Sequence, residues 1–262
     1  MSTMLHWMET GRTSVSFAEK RPTAGALPPP RLPRPVRGVL FDFGGVLYDD
    51  TVWRRWLLRL LSHVGLHTHY SSFYYVWDRD FAADVYRGRR TFDDAFAAYL
   101  RSAGLPCGLI DEVMAACRGL RRELDASLRP LPGVRCTLAR LVKLGMRLGV
   151  LSDSELAGDE LQARLAGFAP VQAFQVVVSS IDLGCTKPEP VCYREAVMQM
   201  GLSPHEVAFV GHDQVELAGA QAVGMPTIAL SGSPDAEADV YLDRFEQLAD
   251  AVGLPQRLAV AG

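Results

Sequence analysis

From Pro130 onward, short Val- and Ile-rich runs alternate with stretches of helical periodicity, and few folds accommodate that alternation. Leu131-Pro132-Gly133 opens a helix to about 144, and 147–151 reads as a strand ending in Ser152-Asp153-Ser154. Helices over 155–166, 190–200 and 214–223 then alternate with strands over 174–179, 206–210 and 226–230. A short strand near Val240 and a helix over 244–252 follow. Strands apolar along their whole length are those of a parallel sheet covered on both faces. The expected class is therefore α/β, a doubly wound, Rossmann-like parallel sheet.

One more strand of this kind lies far upstream, in the stretch GVLFDFGGVLYDD over 38–50. It ends in a single carboxylate, Asp42, followed by the Gly44-Gly45 turn. Residues 50–129 between it and the alternating half read as almost pure helix. Val52, Trp53, Trp56, Leu57, Leu60 and Val64 recur at helical spacing, and so do Tyr70, Phe73, Tyr74, Trp77 and Phe81. Thr91 with Asp94 approximates a capping box ahead of Phe92, Phe96 and Leu100. The aromatic stripe keeps to one helical face and reads as packing within the helical block. The expected organisation is an α/β core over 38–49 and 130–254, an inserted helical domain over 50–129, and a tail over 255–262. Residues 1–37 form a leader. Between Arg21 and Arg37 the leader carries six prolines and four arginines with no acid, so it is expected to be extended or disordered, although its proline run also suits an aromatic groove.

Composition narrows the partners. A formal net charge of -3 over 262 residues gives no general attraction to nucleic acid or to anionic membranes. No apolar run approaches the roughly 18 residues that span a bilayer, and the start of the sequence lacks the apolar core of a secretory signal. The five cysteines show no paired spacing of the structural-zinc kind. Reduced thiols and a cytoplasmic location are expected, with no nucleic-acid and no membrane partner.

Right-handed crossovers would bring the C-terminal ends of all these strands to one rim, the edge where open α/β sheets bind ligands. Asp42, Ser152, Lys187 in GCTKPEP and His212-Asp213 in FVGHD gather there. A carboxylate, a hydroxyl and an ammonium in one cleft suit a nucleophile with two groups that hold an anion. Each also has an ordinary role: Asp42 as a turn cap, Ser152 at a helix N-terminus, Lys187 as a solvated loop lysine. His212 would be either a base, with an unperturbed pKa near neutrality, or a histidine hydrogen-bonded at a strand end. Arg87, Arg89 and Arg90 in RGRR would reach an anionic substrate or form a solvated basic turn.

The motifs FDFGGVL, VLSDS, Lys187-Pro188 within TKPEP, and FVGHDQVELAGAQAVGMPTI occur in an order that resembles the haloacid dehalogenase (HAD) superfamily, in the subgroup with a helical cap after the first motif. The likeness covers about residues 38–254. It implies that Asp42 is a nucleophile forming an aspartyl intermediate, which splits one hard displacement into two easier ones. It implies that Ser152 donates a hydrogen bond to the transferred group and that Lys187 pairs with Asp42 as a fixed cation. Phe43 and Gly44, through their backbone amides, and Asp153, with Arg87 and Arg89 from the cap, are the substrate- or phosphate-binding candidates. Mg²⁺ is the implied cofactor, with Asp42, Asp213 and Glu216 as candidate ligands.

Two positions depart from the family pattern. Gly44 stands where a second Asp usually transfers a proton, and Gly211-His212 stand where a magnesium-binding Asp is usual. Three function classes follow. The first is a small-molecule phosphatase working on an anionic substrate. The second is a metal-independent, dehalogenase-like hydrolase acting at carbon, with His212 as base. The third is a catalytically inactive binding or regulatory protein.

Overall fold

The computed structural model describes residues 30–126, 128–167, 173–231 and 236–253. Six parallel strands form one sheet in the order β3-β2-β1-β4-β5-β6. They are β1 (Gly38–Phe41), β2 (Arg147–Ser152), β3 (Val176–Ser179), β4 (Val207–Gly211), β5 (Thr227–Leu230) and β6 (Val240–Leu242). β1 pairs with β2 from Gly38↔Arg147 to Phe41↔Val150 and with β4 from Gly38↔Val207 to Phe41↔Val210. The chain runs outward from β1 to one edge through β2 and β3 and to the other through β4, β5 and β6. Outside the C-terminal end of β1 it therefore leaves the crevice that α/β sheets use for ligands.

Burial of every β1 residue follows from this central place. Val39 and Phe41 pack on one face with Leu138, Leu161 and Phe245, while Leu40 packs on the other with Leu151, Tyr193 and Phe209. The helices covering the sheet are α6 (Val134–Lys143), α7 (Gly158–Ala166), the short α8 (Ser180–Leu183), α9 (Pro190–Gln199), α10 (Gln214–Ala222) and α11 (Leu248–Ala251). The sequence reading missed α8, and it started α7 three residues early because Glu155, Leu156 and Ala157 form the turn before it.

The insertion is helical throughout: α1 (Thr51–His63), α2 (Tyr70–Trp77), α3 (Ala83–Tyr86), α4 (Phe92–Ser102) and α5 (Cys107–Ala126). It has its own core, with Leu61, Phe73, Phe96 and Leu100 fully buried; of the aromatic stripe, Phe73 and Trp77 are buried in it and Tyr74 and Phe81 pack against it, while Tyr70 is exposed. A five-residue π-helical turn, Asp78–Ala82, sits between α2 and α3. Its wider turn carries Asp78 toward the core, in keeping with the tendency of such turns to mark functional sites.

The described end of the leader, residues 30–37, is extended, with Leu32 and Val36 buried and the Leu32 and Arg37 amides donating to the Ala251 and Glu206 carbonyls. Two apolar side chains among the prolines are enough to tie this extended segment to the sheet's flank. The rest of the proposed leader, residues 1–29, and the tail over 255–262 lie outside the described residues. The five cysteines are free thiols. Among the described residues no helix is long and apolar enough to cross a membrane.

Candidate active site

The turn after β1 delivers Asp42 to the floor of a cavity of about 530 Å³ closed from above by α1, α2 and the π-helical turn. The Asp42 amide donates to the Val210 carbonyl, which prolongs the β1–β4 ladder by one bond and fixes where the carboxylate emerges. Ser152, at the last position of β2, and Lys187, in the loop before α9, reach the same cavity, and all three are buried. Lys187 Nζ lies 2.5 Å from Asp42 Oδ1 and 2.9 Å from Glu216 Oε1. Asp153 Oδ1 accepts from the Lys187 amide at 3.1 Å, so this carboxylate holds the lysine loop as well as lining the cavity.

The buried groups of this array shift one another's pKa values. Burial alone would lower the Lys187 pKa, but the charges of Asp42, Glu216 and Asp153 outweigh it and hold the ammonium well above the ordinary lysine value. Burial and the charge of Asp42 push Glu216 up to about 8, against the downward pull of Lys187. Asp153 is raised chiefly by burial.

His212 stands across from Lys187, with Nδ1 3.6 Å from Asp42 Oδ2, too far for a hydrogen bond. That nitrogen is buried and has no partner among the described residues. Gly45 explains the close approach: it has φ +71°, and a Cβ there would stand 3.0–3.3 Å from the His212 ring. Phe43 is buried with its ring against Tyr48, so only its backbone is offered to the cavity, beside Gly44.

Two expectations are corrected. Arg87 and Arg89 do not line the cavity. Arg87 pairs with Glu189 at 2.8 Å and Arg89 lies 3.6 Å from Asp84, because the turn after α3 faces the α8 side of the core rather than the crevice. The proposed magnesium ligands each have one oxygen engaged. Asp213 caps α10, its Oδ1 accepting from the amides of Val215 and Glu216, while Asp42 and Glu216 grip the Lys187 ammonium. Among the described residues no three His, Cys, Asp or Glu side chains stand close enough to hold a metal ion. Lys187 Nζ takes one oxygen each of Asp42 and Glu216 while Glu216 Oε2 stays buried without a partner among the described residues, and with no third such side chain close by they do not make the near-octahedral oxygen set of Mg²⁺.

Sequence reasoning missed the cap-side polar residues Asp50, Arg54 and Asp78, and Arg164 on α7, all of which line the cavity. Arg54 Nε lies 2.8 Å from Asp50 Oδ2, and its guanidinium lies over the Tyr74 ring at 4.9 Å. The signal was an acid and a base four apart at the start of a helix, the spacing at which side chains meet.

Residues 36–224 match the family of haloacid dehalogenase-like hydrolases. The chain is 27% identical over 234 residues to phosphoglycolate phosphatase of Yersinia pseudotuberculosis, covering 84% of this chain and 94% of that one. It is 29% identical over 210 residues to (S)-2-haloacid dehalogenase 4A of Burkholderia cepacia, covering 76% and 85%. Among solved structures, L-2-haloacid dehalogenase from Xanthobacter autotrophicus with chloropropionic acid covalently bound superimposes with a TM-score of 0.59 at 21% identity, over 82% of this chain and 97% of that one. At that identity the superposition speaks for the fold.

Proposed function

The chain belongs to the haloacid dehalogenase-like hydrolase family, and on that premise we propose that it hydrolyses small anionic substrates through a covalent aspartyl intermediate on Asp42, without magnesium. The observation that carries this is the buried Asp42–Lys187–Glu216 array at the cavity floor. Lys187 is a fixed cation beside the attacking carboxylate, where it orients Asp42 and offsets the negative charge of the group bound to it. Ser152, at the same rim, would donate to the bound group, and His212 Nδ1 faces the second oxygen of Asp42. Neither needs a metal.

The balance of charge bears on the substrate. The cavity lining carries the carboxylates of Asp42, Asp50, Asp78, Asp153, Glu155 and Asp213, and the Glu216 carboxyl with its raised pKa, against the cations Arg54, Arg164 and Lys187. That excess of acidic groups favours a substrate bearing one negative charge over a phosphate dianion. That supports displacement at carbon, as in the dehalogenase relative. The second reading is a phosphatase, and the near full-length match to a phosphoglycolate phosphatase favours it.

The test is a panel of phosphate monoesters and 2-haloacids, each with Mg²⁺ and with EDTA, beside Asp42→Asn. The expected outcome is EDTA-resistant turnover that Asp42→Asn abolishes. EDTA-sensitive phosphate release lost in the same variant selects the phosphatase. Absence of turnover on every substrate, or turnover undiminished in Asp42→Asn, overturns the proposal.

A further inference from the structure

We propose that Asp50 is the general base that opens the aspartyl intermediate, held by Arg54 over the gap that Gly44 leaves beside the nucleophile. The inference rests on Asp42 being the nucleophile.

Local geometry frees Asp50 for this work. It is the N-cap residue of α1, yet its side chain makes no capping hydrogen bond. Asp49 takes over, its Oδ1 accepting from the Thr51 amide at 2.9 Å and from the Thr51 hydroxyl at 2.6 Å. An Asp at an N-cap ordinarily spends its oxygen on its own first turn. Asp50 instead turns into the cavity.

Its position there is specific. Asp50 Oδ2 lies 3.7 Å, and the Tyr48 hydroxyl 3.6 Å, from the point where a Cβ on Gly44 would stand. Gly44 is two residues after Asp42 and lines the same cavity. The cap holds the carboxylate from two helices: Arg54 on α1 pairs with it, and Arg54 is itself fixed by the Tyr70 hydroxyl of α2 at 3.1 Å and by the Tyr74 ring. Tyr48 is no competitor for the role, since burial and then the charge of Asp50 raise its pKa and keep its proton in place.

The chemistry balances with water alone. Once Asp42 has displaced the leaving group, water adds through its oxygen to Cγ of the Asp42 ester and gives one proton to Asp50. The Cγ–O bond to the substrate then breaks, and the departing oxygen takes that proton back. Asp42 is left as a carboxylic acid that returns the remaining proton to solvent. On a phosphoryl adduct, water attacks phosphorus, Asp42 leaves as carboxylate, and Asp50 passes its proton to solvent.

The experiment uses the full chain and the best-turned-over members of the panel, 2-chloropropionate and p-nitrophenyl phosphate among them, with acid quenching and intact-mass measurement. Asp50→Asn is expected to lose about 10²- to 10⁴-fold in turnover, the usual worth of a positioned base, while a covalent adduct accumulates on the protein. Asp42→Asn should give no adduct. Gly44→Asp in the Asp50→Asn background should recover part of the turnover, because a Cβ at residue 44 meets neighbours only at 3.6–3.8 Å and places a carboxylate in the same gap. A damaged cap would not be repaired that way, so recovery also answers the case in which Asp50→Asn alone folds poorly. Wild-type turnover in Asp50→Asn, slow turnover without adduct, or adduct accumulating only in His212→Asn overturns this inference and leaves Asp42 as nucleophile. Undiminished turnover in Asp42→Asn removes both.

Discussion

Glu216 carries a carboxyl that its surroundings discourage from ionising, and stability should register it. With its pKa raised to about 8 by burial and by Asp42, Glu216 binds its proton more tightly in the folded than in the unfolded chain. Its contribution is therefore fully present below the ordinary glutamate value of 4.5 and is lost as pH rises through about 8. Thermal unfolding of the wild type should decline between about pH 5 and about pH 8 relative to Glu216→Gln, which cannot lose that proton. Identical pH profiles for the two proteins would remove Glu216 from the buried array. At this scale the sequence was readable where topology alone decides. Asp42, Ser152 and Lys187 converge because parallel strands share a rim, and strand ends can be found from hydrophobic runs. Arg87 and Arg89 were misplaced because a long side chain's partner is chosen by whichever neighbour the tertiary fold supplies, here Glu189 and Asp84. Asp50 was missed for the opposite reason: an acid at a helix start reads as a cap, and only the structure reveals that Asp49 has taken that duty.

Helix α4 is where local sequence and structure agree most closely. The Asp94 amide donates to Thr91 Oγ1 at 3.1 Å, the first half of the expected capping box, while the Asp94 carboxylate accepts from the Thr91 hydroxyl at 2.6 Å in place of its amide. Thr91→Ala should cost about 1 kcal/mol, a fall of about 2–4 °C in Tm for a chain of this length, with the EDTA response of turnover unaffected. A fall beyond that range would mean Thr91 supports more than its own helix. The π-helical turn after α2 shows where periodicity falls short. The stripe from Tyr70 to Phe81 reads as one continuous helix, because the widening changes spacing by a single residue and leaves the apolar pattern intact. Leu32 and Val36 illustrate a similar limit, since composition marks a proline-rich segment as unable to build a core but is silent on whether it can lean on one.

Between the two bodies, two ion pairs stand out among the described residues. Arg87 of the cap meets Glu189 of the core, and Arg121 of α5 meets Glu155 while its guanidinium lies 4.0 Å from the Phe92 ring centre. Arg87 and Glu189 are partly exposed, so Arg87→Ala should change stability by less than about 1 kcal/mol. Its kinetic effect should fall on anionic and uncharged substrates alike, since Arg87 secures the cap and does not touch the cavity. A KM increase confined to anionic substrates would return it to the binding site. The chain leaves the core and re-enters it at adjacent points: Tyr48 bridges Pro130, and the Leu131 amide donates to the Leu47 carbonyl at 3.0 Å. The whole insertion thus hangs from a single doorway whose posts are stitched together by the core itself. Such a doorway makes the helical part an exchangeable cassette. A different lid, spliced between the same two posts, could retune which molecules are admitted while the sheet and its buried carboxylate–ammonium pair stay as they are.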